Sequence, residues 1–426
     1  MPMSPEFKER LSTVVQDAAA SFGTPFHIYD EKGIIQTCQA LNKAFAPIDG
    51  FREYFAVKGL PNPTVMTLLK SQGFGFDCSS VPEIELARKV GSDADDIMFT
   101  SNNTTREQLK TAMDKEGCII NLDDITLISK LPAIPDLLCF RYNPGAARQG
   151  NEIIGKPEEA KYGLTRDQIF SAYGQALDLG VKRFGLHTMM ASNELNYQYM
   201  ISTAQMLLSM AEDISRTLNI RFEFINIGGG LGIPYTPDAK AFNLEGMAQG
   251  IINAFETFKK KNGWVPKLYM ESARFITGPH GVLVTCVINH KNIYRDYVGV
   301  DASMSSLMRP GMYGAYHHIH IHGKPESAPL KTVDVVGALC ENNDKFAIQR
   351  PLPETQEEDI LIIHDTGAHG YAMGFNYNGQ LRPKELLLKT DGSIELIRRA
   401  ETMDDYFATL NFEPQTITPG RARETV

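Results

Sequence analysis

The chain has 426 residues, of which 43% are hydrophobic and 22% charged, and this composition predicts a globular protein large enough for two domains. A net charge of -9 without a basic block argues against a nucleic-acid partner. Because Met1 to Arg10 is polar and no later apolar run approaches membrane length, we expect no signal peptide or membrane contact and place the protein in the cytoplasm.

The six cysteines are scattered at long, irregular intervals, without the CxxC pairs of structural zinc sites. We therefore expect reduced and mostly buried thiols, no disulfide framework and no metal. Cys340 differs from the others because it directly precedes the polar run Glu341-Asn342-Asn343-Asp344.

Short apolar segments alternate with amphipathic ones along the first two thirds of the chain. A strand-like segment, Thr24 to Tyr29, comes first and is assigned to the sheet of a second domain. Eight candidate strands follow, at residues 52–59, 73–80, 96–103, 118–124, 137–145, 183–190, 221–230 and 267–274. Such alternation predicts an α/β fold, a (β/α)8 TIM-like barrel, with an open doubly wound sheet as the competing architecture.

Beyond about residue 280 the segments become β-rich, and a hairpin is predicted at Asp391-Gly392. We therefore predict a C-terminal all-β domain. The predicted division is a barrel of residues 36–280 and a β-rich domain of residues 1–35 and 281–426.

Polar residues lie toward the end of each predicted barrel strand: Lys58, Asp77, Ser101, Asn102, Asp123, Arg141, His187, Gly228 to Gly230, Glu271 and Arg274. In a barrel these strand ends face one mouth, so the residues are expected to converge on one site. The long segment from Arg141 to Gly163 is Gly-rich and charged, which indicates a flap over that mouth.

Lys58 ends the apolar run YFAVK, before a loop broken by Gly59, Pro61 and Pro63. An ammonium held there is expected to be partly desolvated, which lowers the pKa of a lysine and exposes a nucleophilic amine. Schiff-base chemistry with an aldehyde cofactor requires such an amine. A strand-end lysine that simply reaches water is the alternative.

Two further features complete a cofactor pocket. Gly228-Gly229-Gly230 follows the seventh predicted strand, where successive backbone N–H groups can turn toward a phosphate, although a glycine turn without a ligand is the alternative. Glu271 ends the eighth strand and can pair with a protonated pyridine nitrogen, or else form a surface ion pair with Arg274. Together with the lysine, these features predict a pyridoxal phosphate site.

Seven segments carry a resemblance to a known family: YFAVKGLPNP, FDCSSVPEIELA, INIGGGLGIPY, ESARFITGP, GVDASMSSLMRPGMYGAYH, LCENNDKF and DTGAHGYAMGFNYNGQLRPKELLL. In this order they resemble the signature segments of the fold-type III PLP-dependent decarboxylases, and the diaminopimelate decarboxylase branch above all. The resemblance spans Thr24 to about Tyr406. It implies an alanine racemase-like barrel, pyridoxal 5'-phosphate as cofactor, and a homodimer in which the β-rich domain completes the active site.

The resemblance also implies residue roles. Lys58 is similar to the Schiff-base lysine. Cys340 and Glu341 resemble a pair that the partner subunit supplies, with the thiol near the reacting carbon and the carboxylate near the distal ammonium of the substrate. Cofactor contacts are implied for Lys58, Asp77, Met189, Ser192, Gly228, Gly229, Gly230, Glu271 and His369. Substrate contacts are implied for Arg274, Arg309, Tyr313 and Glu341. An arginine fork binds a carboxylate bidentately, and a tyrosine adds one donor.

Three positions depart from the family pattern. The stacking histidine of a His-x-Gly-Ser pattern is Met189 here, so a thioether is expected to cover the cofactor ring, with His187 two residues upstream. The Gly-Ala-Tyr segment of the family is Gly367-Ala368-His369 in this chain. The Glu-Pro-Gly-Arg motif of the family is Glu271-Ser272-Ala273-Arg274 here. These departures indicate a divergent branch of the family.

The resemblance implies decarboxylation of meso-2,6-diaminopimelate to L-lysine and carbon dioxide, the last step of lysine biosynthesis. The alternatives are a decarboxylase of ornithine, arginine or a carboxy-polyamine, and a PLP-binding protein without catalytic activity. Four histidines, His317, His318, His320 and His322, suggest a metal site at first sight. Because no carboxylate or cysteine lies nearby at ligand spacing, an exposed strand face is the favoured interpretation.

Overall fold

The computed structural model describes residues 3–114, 117–148, 155–325 and 327–414. The first strand, β1 (Phe26–Asp30), lies outside the barrel. The next eight are parallel and pair in sequence until the last meets the first: β2 (Arg52–Ala56), β3 (Gly75–Cys78), β4 (Ile97–Ser101), β5 (Ile119–Leu122), β6 (Leu137–Arg141), β7 (Arg183–His187), β8 (Phe222–Asn226) and β9 (Lys267–Met270). The predicted barrel is confirmed, and the alternative of an open sheet is wrong.

The remaining strands form a sheet with β1: β10 (Gly281–Asn292), β11 (Asp296–Val300), β12 (Ile319–Ile321), β13 (Leu330–Val336), β14 (Lys345–Pro353), β15 (Ile360–Ile363), β16 (Lys384–Leu388) and β17 (Ile394–Arg398). The main path of this sheet is β14-β13-β11-β10-β1-β16-β17, and β15 pairs with β10 and β12. The predicted hairpin is confirmed as the β16–β17 pair, and β1 joins this sheet as expected.

Helices connect and cover these strands: α1 (Pro5–Ser12), α2 (Val15–Phe22), α3 (Glu31–Phe45), α4 (Pro63–Ser71), α5 (Val81–Lys89), α6 (Arg106–Met113), α7 (Arg166–Asp178), α8 (Tyr197–Leu218), α9 (Leu244–Asn262), α10 (Ala273–Thr277), α11 (Arg309–Tyr313) and α12 (Met403–Phe407). Thr105 and Thr165 form capping boxes that fix the starts of α6 and α7. Within the described residues, none of these helices combines the length and apolarity needed to cross a bilayer.

Residues 5–22 differ from the prediction of a β-rich start. They form α1 and α2, which bury Phe7, Leu11 and Val15 against Val282 and Ile362 on one face of the sheet. The exact domain boundaries stay a prediction, and residues 415–426 of the predicted second domain lie outside the described part of the chain.

Two layers of apolar packing hold the barrel. The larger layer lies between the strands and the surrounding helices and includes Phe55, Phe76, Phe140 and Tyr173, all fully buried. A smaller cluster contains Tyr54, Met98, Ile119, Leu137, Cys139, Phe224 and Tyr269. The rings of Phe224 and Tyr269 are stacked with centroids 4.3 Å apart. This packing fixes the strands whose carboxyl ends carry the polar residues.

Glu53 reinforces the seam where the barrel closes. It lies opposite Met270 in the β2–β9 register, and its carboxyl accepts a hydrogen bond from the backbone N–H of Ser272, just beyond β9. The side chain is 1% exposed. Burial above all raises its pKa to about 8, with the Ser272 N–H opposing the shift and the carboxyl groups of Glu271 and Asp77 adding to it. Glu53 is therefore protonated at neutral pH.

Glu53→Gln should change how stability depends on pH. An unfolded glutamate titrates near pH 4.3 and the folded Glu53 near 8, so between these values folding takes up a proton. The free energy of unfolding therefore falls as pH rises, by at most about 1.4 kcal/mol per pH unit from this group. The glutamine keeps an oxygen for the Ser272 N–H but cannot ionise. Denaturant unfolding should therefore show that the stability of the variant, relative to the unmodified protein, is higher at pH 8 than at pH 5.

The matched control is Glu9→Gln at an exposed position, which should leave the two pH profiles parallel. If Glu53→Gln also gives a parallel profile, the carboxyl group at position 53 is ionised in the folded protein at neutral pH.

Candidate active site

The carboxyl ends of the barrel strands bring one lysine and several carboxyl groups together. Lys58 follows β2, Asp77 lies in β3, and Glu271 follows β9. The charge of Lys58 acts on both carboxyl groups, as a smaller contribution beside burial and their other neighbours, which places the three side chains within electrostatic range of one another. The predicted convergence of these residues at one mouth is therefore observed.

Lys58 lies in a single 3-10 turn, Val57–Gly59, because β2 already ends at Ala56. Its side chain is exposed in the single chain, so the expectation of a desolvated amine at a strand tip is wrong for this chain alone. The turn itself is held firmly, since the N–H of His369 donates to the Gly59 carbonyl at 2.8 Å. Gly59 also packs where an added Cβ would lie 2.8 Å from the Cβ of Ala273.

Glu271 carries the buried negative charge of the site. It is 7% exposed, and its Oε1 accepts a hydrogen bond from Asn226 Nδ2 at 2.8 Å. The Nε2 atom of His187 lies 3.2 Å from the same oxygen, at an angle short of a good hydrogen bond. Burial alone would raise the pKa of Glu271, but His187, Lys58 and Arg141 outweigh burial and lower it. Glu271 is therefore ionised at neutral pH.

Asp77 has the opposite electrostatic state. Burial, followed by repulsion from Glu271, raises the pKa of Asp77 well above its usual range. It is 2% exposed, and its Oδ1 has no hydrogen-bond partner among the described residues. The mouth thus holds one carboxyl group whose pKa is lowered and one whose pKa is raised.

The glycine turn is built by close approach of neighbouring loops. Gly228 and Gly230 have φ angles of 70° and 107°, which favour glycine. An added Cβ on Gly229 would lie 2.1 Å from the Glu271 carbonyl oxygen. Asn226 joins this turn to Glu271, because its Oδ1 accepts from Gly228 N at 2.9 Å while its amide nitrogen holds the carboxylate.

Met189 lies against the glycine turn. Its Sδ accepts the N–H of Gly229 at 3.2 Å. Sulfur is a weak acceptor, so an anion at this N–H would be a stronger partner. Ser192 lies in the same loop after β7 and is partly buried.

Arg274 and Arg309 converge on a residue that the sequence did not single out. Both arginines donate a hydrogen bond from Nη1 to the hydroxyl oxygen of Tyr235. The distance from Arg309 Nη1 to this oxygen is 2.8 Å. Arg309 also donates to Nε2 of the buried His317 at 3.0 Å. Tyr235 ends the same INIGGGLGIPY segment as the glycine turn, and that proximity was the available signal.

His369 links this arginine pair to the lysine. Burial lowers its pKa well below the usual range, and the charges of Arg274, Lys58 and Arg309 lower it further. The imidazole is thus neutral at neutral pH. Its backbone has a φ of 57°, an unusual value for a histidine.

Two predicted site residues, Cys340 and Glu341, lie apart from this mouth within one chain, and a third is largely exposed. Tyr313 is 63% exposed at the end of α11, and Cys340 is exposed. Cys340 and Glu341 line a cavity formed only by residues 288–345, all of them in the second sheet and its loops.

Two other predictions need correction or restriction. His317 is fully buried, and His318, His320 and His322 are partly buried, so the exposed strand face is wrong. The rings of His318 and His320 instead pack against His364, each with centroids 4.8 Å apart, and the described residues include no cluster arranged to hold a metal ion. The predicted flap includes residues 149–154, which lie outside the described part of the chain.

The arrangement fits pyridoxal phosphate. Lys58 offers a primary amine, Glu271 offers an ionised carboxylate for a pyridinium N–H, and the glycine turn offers backbone N–H groups for a phosphate. An added Cβ at any of the three glycines would collide with the backbone of a neighbouring loop, so the turn keeps its shape only with glycine there.

Comparisons with known proteins agree with this chemistry. The family model described as "Pyridoxal-dependent decarboxylase, pyridoxal binding domain" matches residues 31–278. Protein TabA of Pseudomonas amygdali pv. tabaci is 44% identical over 97% of each chain. Diaminopimelate decarboxylase of Methanothermobacter thermautotrophicus is 35% identical over 91% of this chain and 92% of the relative.

A solved structure shows the same fold. The diaminopimelate decarboxylase of M. jannaschii in complex with L-lysine superposes with a TM-score of 0.86 at 28% identity, covering 92% of this chain and 93% of that one. More than half of the chain matches the family model. The chain therefore belongs to the pyridoxal-dependent decarboxylases, lyases whose cofactor is pyridoxal phosphate.

Proposed function

We propose that this enzyme decarboxylates meso-2,6-diaminopimelate to L-lysine and carbon dioxide, the last step of lysine biosynthesis. The observation that carries this proposal is the pair of guanidinium groups, Arg274 and Arg309, that meet at Tyr235 within electrostatic reach of His369, itself beside Lys58. A cationic pair beside the reacting lysine suits a substrate with a second carboxylate. Ornithine and arginine lack that group.

Pyridoxal phosphate, when bound, withdraws electrons from the carbon that loses carbon dioxide. Lys58 would hold the cofactor through its amine and give way to the amine of the substrate. Glu271 would keep the ring nitrogen protonated, because its lowered pKa leaves it a carboxylate at neutral pH. Asp77 would stay a neutral neighbour of that ring, since a second anion beside Glu271 is disfavoured.

A proton must return to the carbon that has lost carbon dioxide. Lys58 or Cys340 would supply it, the first from the same chain and the second from the partner subunit. Glu341 would face the distal ammonium of the substrate, while Tyr313 would join Arg309 at its distal carboxylate.

A homodimer with shared sites is part of the proposal. Cys340 lines its cavity together with Ile288 and Ile293, which are 51% and 55% exposed. Tyr294, next in the chain, is fully exposed, and Met312 and Tyr313 add further exposed apolar area. Exposed apolar residues around a predicted catalytic thiol support burial of this surface by a second copy. The free state of all six cysteines supports a reducing, cytoplasmic location.

A second candidate is decarboxylation of a different amino acid. It is favoured by the higher identity to protein TabA than to the diaminopimelate decarboxylase, together with Met189, Ser272 and His369 at cofactor and substrate positions. Carbon dioxide release from a panel of meso-diaminopimelate, L-lysine, L-ornithine, L-arginine and carboxynorspermidine decides between the two.

The first test concerns the lysine. Borohydride treatment of the purified holoenzyme should attach the cofactor to the peptide that contains Lys58, because reduction makes the link to the amine permanent. Lys58→Ala should bind no cofactor covalently, while Lys70→Ala at another barrel position should label normally. A labelled peptide without Lys58 would show that the site assignment is wrong.

The second test concerns substrate choice. Arg309→Ala should lose one charge-assisted carboxylate contact, worth about 2–4 kcal/mol, and so lower kcat/KM for diaminopimelate roughly 30- to 1000-fold. Cofactor absorbance should stay unchanged. Equal turnover of L-lysine or L-ornithine and diaminopimelate by the unmodified enzyme would overturn the proposed substrate.

The third test asks whether two chains build each site. Lys58→Ala and Cys340→Ala homodimers should each be almost inactive. Unfolded together in equal amounts and refolded, they should form about half heterodimers and recover roughly a quarter of native sites, since one site in each heterodimer carries neither substitution.

The barrel supplies a matched control for this experiment. Lys58 and Glu271 belong to one barrel mouth of one chain. A refolded mixture of Lys58→Ala and Glu271→Ala should therefore stay inactive, because every site carries a substitution. If the Lys58→Ala and Cys340→Ala mixture is equally inactive, with exchange confirmed by a tag, the sites are not shared.

A further inference from the structure

We propose that Tyr235 determines substrate specificity. Its hydroxyl group would donate a hydrogen bond to the second carboxylate of the substrate, between the guanidinium groups of Arg274 and Arg309. This inference rests on the proposed function and adds a residue to it. Tyr235 belongs to the loop after β8, so the same loop would shape both the glycine turn and the substrate end of the site.

The hydrogen bonds of Tyr235 decide what its hydroxyl can do. Its oxygen accepts from Nη1 of Arg309 at 2.8 Å and from Nη1 of Arg274. A phenol oxygen has two acceptor positions and one O–H donor. Because both acceptor positions are taken by cations, the O–H remains as a donor and selects an acceptor as its ligand.

His317 fixes one of the two arginines without adding a charge. Its Nδ1 lies 2.7 Å from the His364 carbonyl oxygen, which can only accept, so Nδ1 carries the proton. Nε2 is then the acceptor for Arg309 Nη1 at 3.0 Å. Burial, followed by the charge of Arg309, lowers the pKa of His317 to about 3, so the ring stays neutral. Both hydrogens of Arg309 Nη1 are thereby assigned, to Tyr235 and His317.

The arginine pair lacks a counter-charge in direct contact. Arg309 is 7% exposed, and no carboxylate among the described residues lies within salt-bridge distance of Arg274 or Arg309. Asp365 is near Arg309, but burial raises its pKa well above the usual range and favours the neutral form. Two cations with a tyrosine hydroxyl and a neutral histidine create a site for an anion.

The ring of Tyr235 makes the cluster rigid. The guanidinium carbon of Arg309 lies 4.7 Å from its centroid and that of Arg274 lies 5.8 Å away. Tyr235→Phe keeps this ring and removes only the hydroxyl, so it separates the proposed donor from the packing.

Two anions have the required chemistry, the carboxylate of the substrate and the phosphate of the cofactor. A pair of amines separates them: L-lysine retains the distal carboxylate of diaminopimelate, whereas cadaverine is the same chain without it. Binding of each to the holoenzyme can be followed through the cofactor absorbance, without turnover. The cofactor dissociation constant reports separately on the phosphate.

Tyr235→Phe should weaken binding of L-lysine about 10- to 100-fold, the loss expected for a hydrogen bond to a charged group. Binding of cadaverine, the cofactor dissociation constant and kcat should each change less than about threefold, while KM for diaminopimelate rises with the L-lysine constant. Tyr406→Phe, at an exposed position in α12, is the matched control and should change none of them.

An unchanged dissociation constant for L-lysine in Tyr235→Phe would overturn the inference, and so would each of three other results. Equal losses for L-lysine and cadaverine would indicate a packing role, and a loss confined to the cofactor would assign the hydroxyl to the phosphate. Failure of the unmodified holoenzyme to bind L-lysine would remove the proposed ligand. A different result would overturn the proposed function alone: Tyr235→Phe weakens binding of L-lysine but not of cadaverine, while the unmodified enzyme does not turn over diaminopimelate.

Discussion

A single buried negative charge, the carboxylate of Glu271, sets the electrostatics of the barrel mouth. A carboxylate with 7% exposure is stable only if hydrogen bonds and cations replace water around it. Asn226 donates to it, and Lys58, His187 and Arg141 supply positive potential. These groups outweigh the effect of burial at Glu271. At Asp77 and Glu53 nothing outweighs burial, so the pKa values of both are raised.

This division of protonation states follows from where each carboxyl group lies. Three carboxyl groups that share a small volume with few cations cannot all ionise, because each new anion repels the others in a low-dielectric setting. The one with the most partners keeps the charge. Glu53 faces the seam between β2 and β9, where a backbone N–H is its only donor among the described residues. The barrel can therefore offer one anion to a pyridinium without electrostatic competition from the other two.

Much of the site could be predicted from the sequence because parallel strands end at one edge. Lys58, Asp77, the glycine turn and Glu271 follow different strands, and barrel closure alone brings them together. Asn226 and Tyr235 could not be found in this way. Asn226 bonds to Glu271, which is 45 residues away in the sequence, and Tyr235 bonds to Arg309, which is 74 residues away. Such contacts depend on the direction of the side chains and not on sequence spacing. The exposure of Lys58 was also missed, because strand ends are the least certain part of a sequence-based assignment.

The second sheet places Cys340 and Glu341 away from the barrel mouth of the same chain. Lys58 is exposed at its turn, and Cys340 with Glu341 lines a cavity formed by residues 288–345 alone. The link between barrel and sheet runs instead through His369, whose N–H holds the lysine turn, and through Arg309, which reaches Tyr235 from α11. One chain thus joins the lysine to the cationic pocket, but it leaves the thiol on a face with exposed apolar side chains. A two-fold partner would cover that face and bring the thiol to the opposite lysine, so that dimerisation would both bury apolar area and restrict water at the reacting carbon.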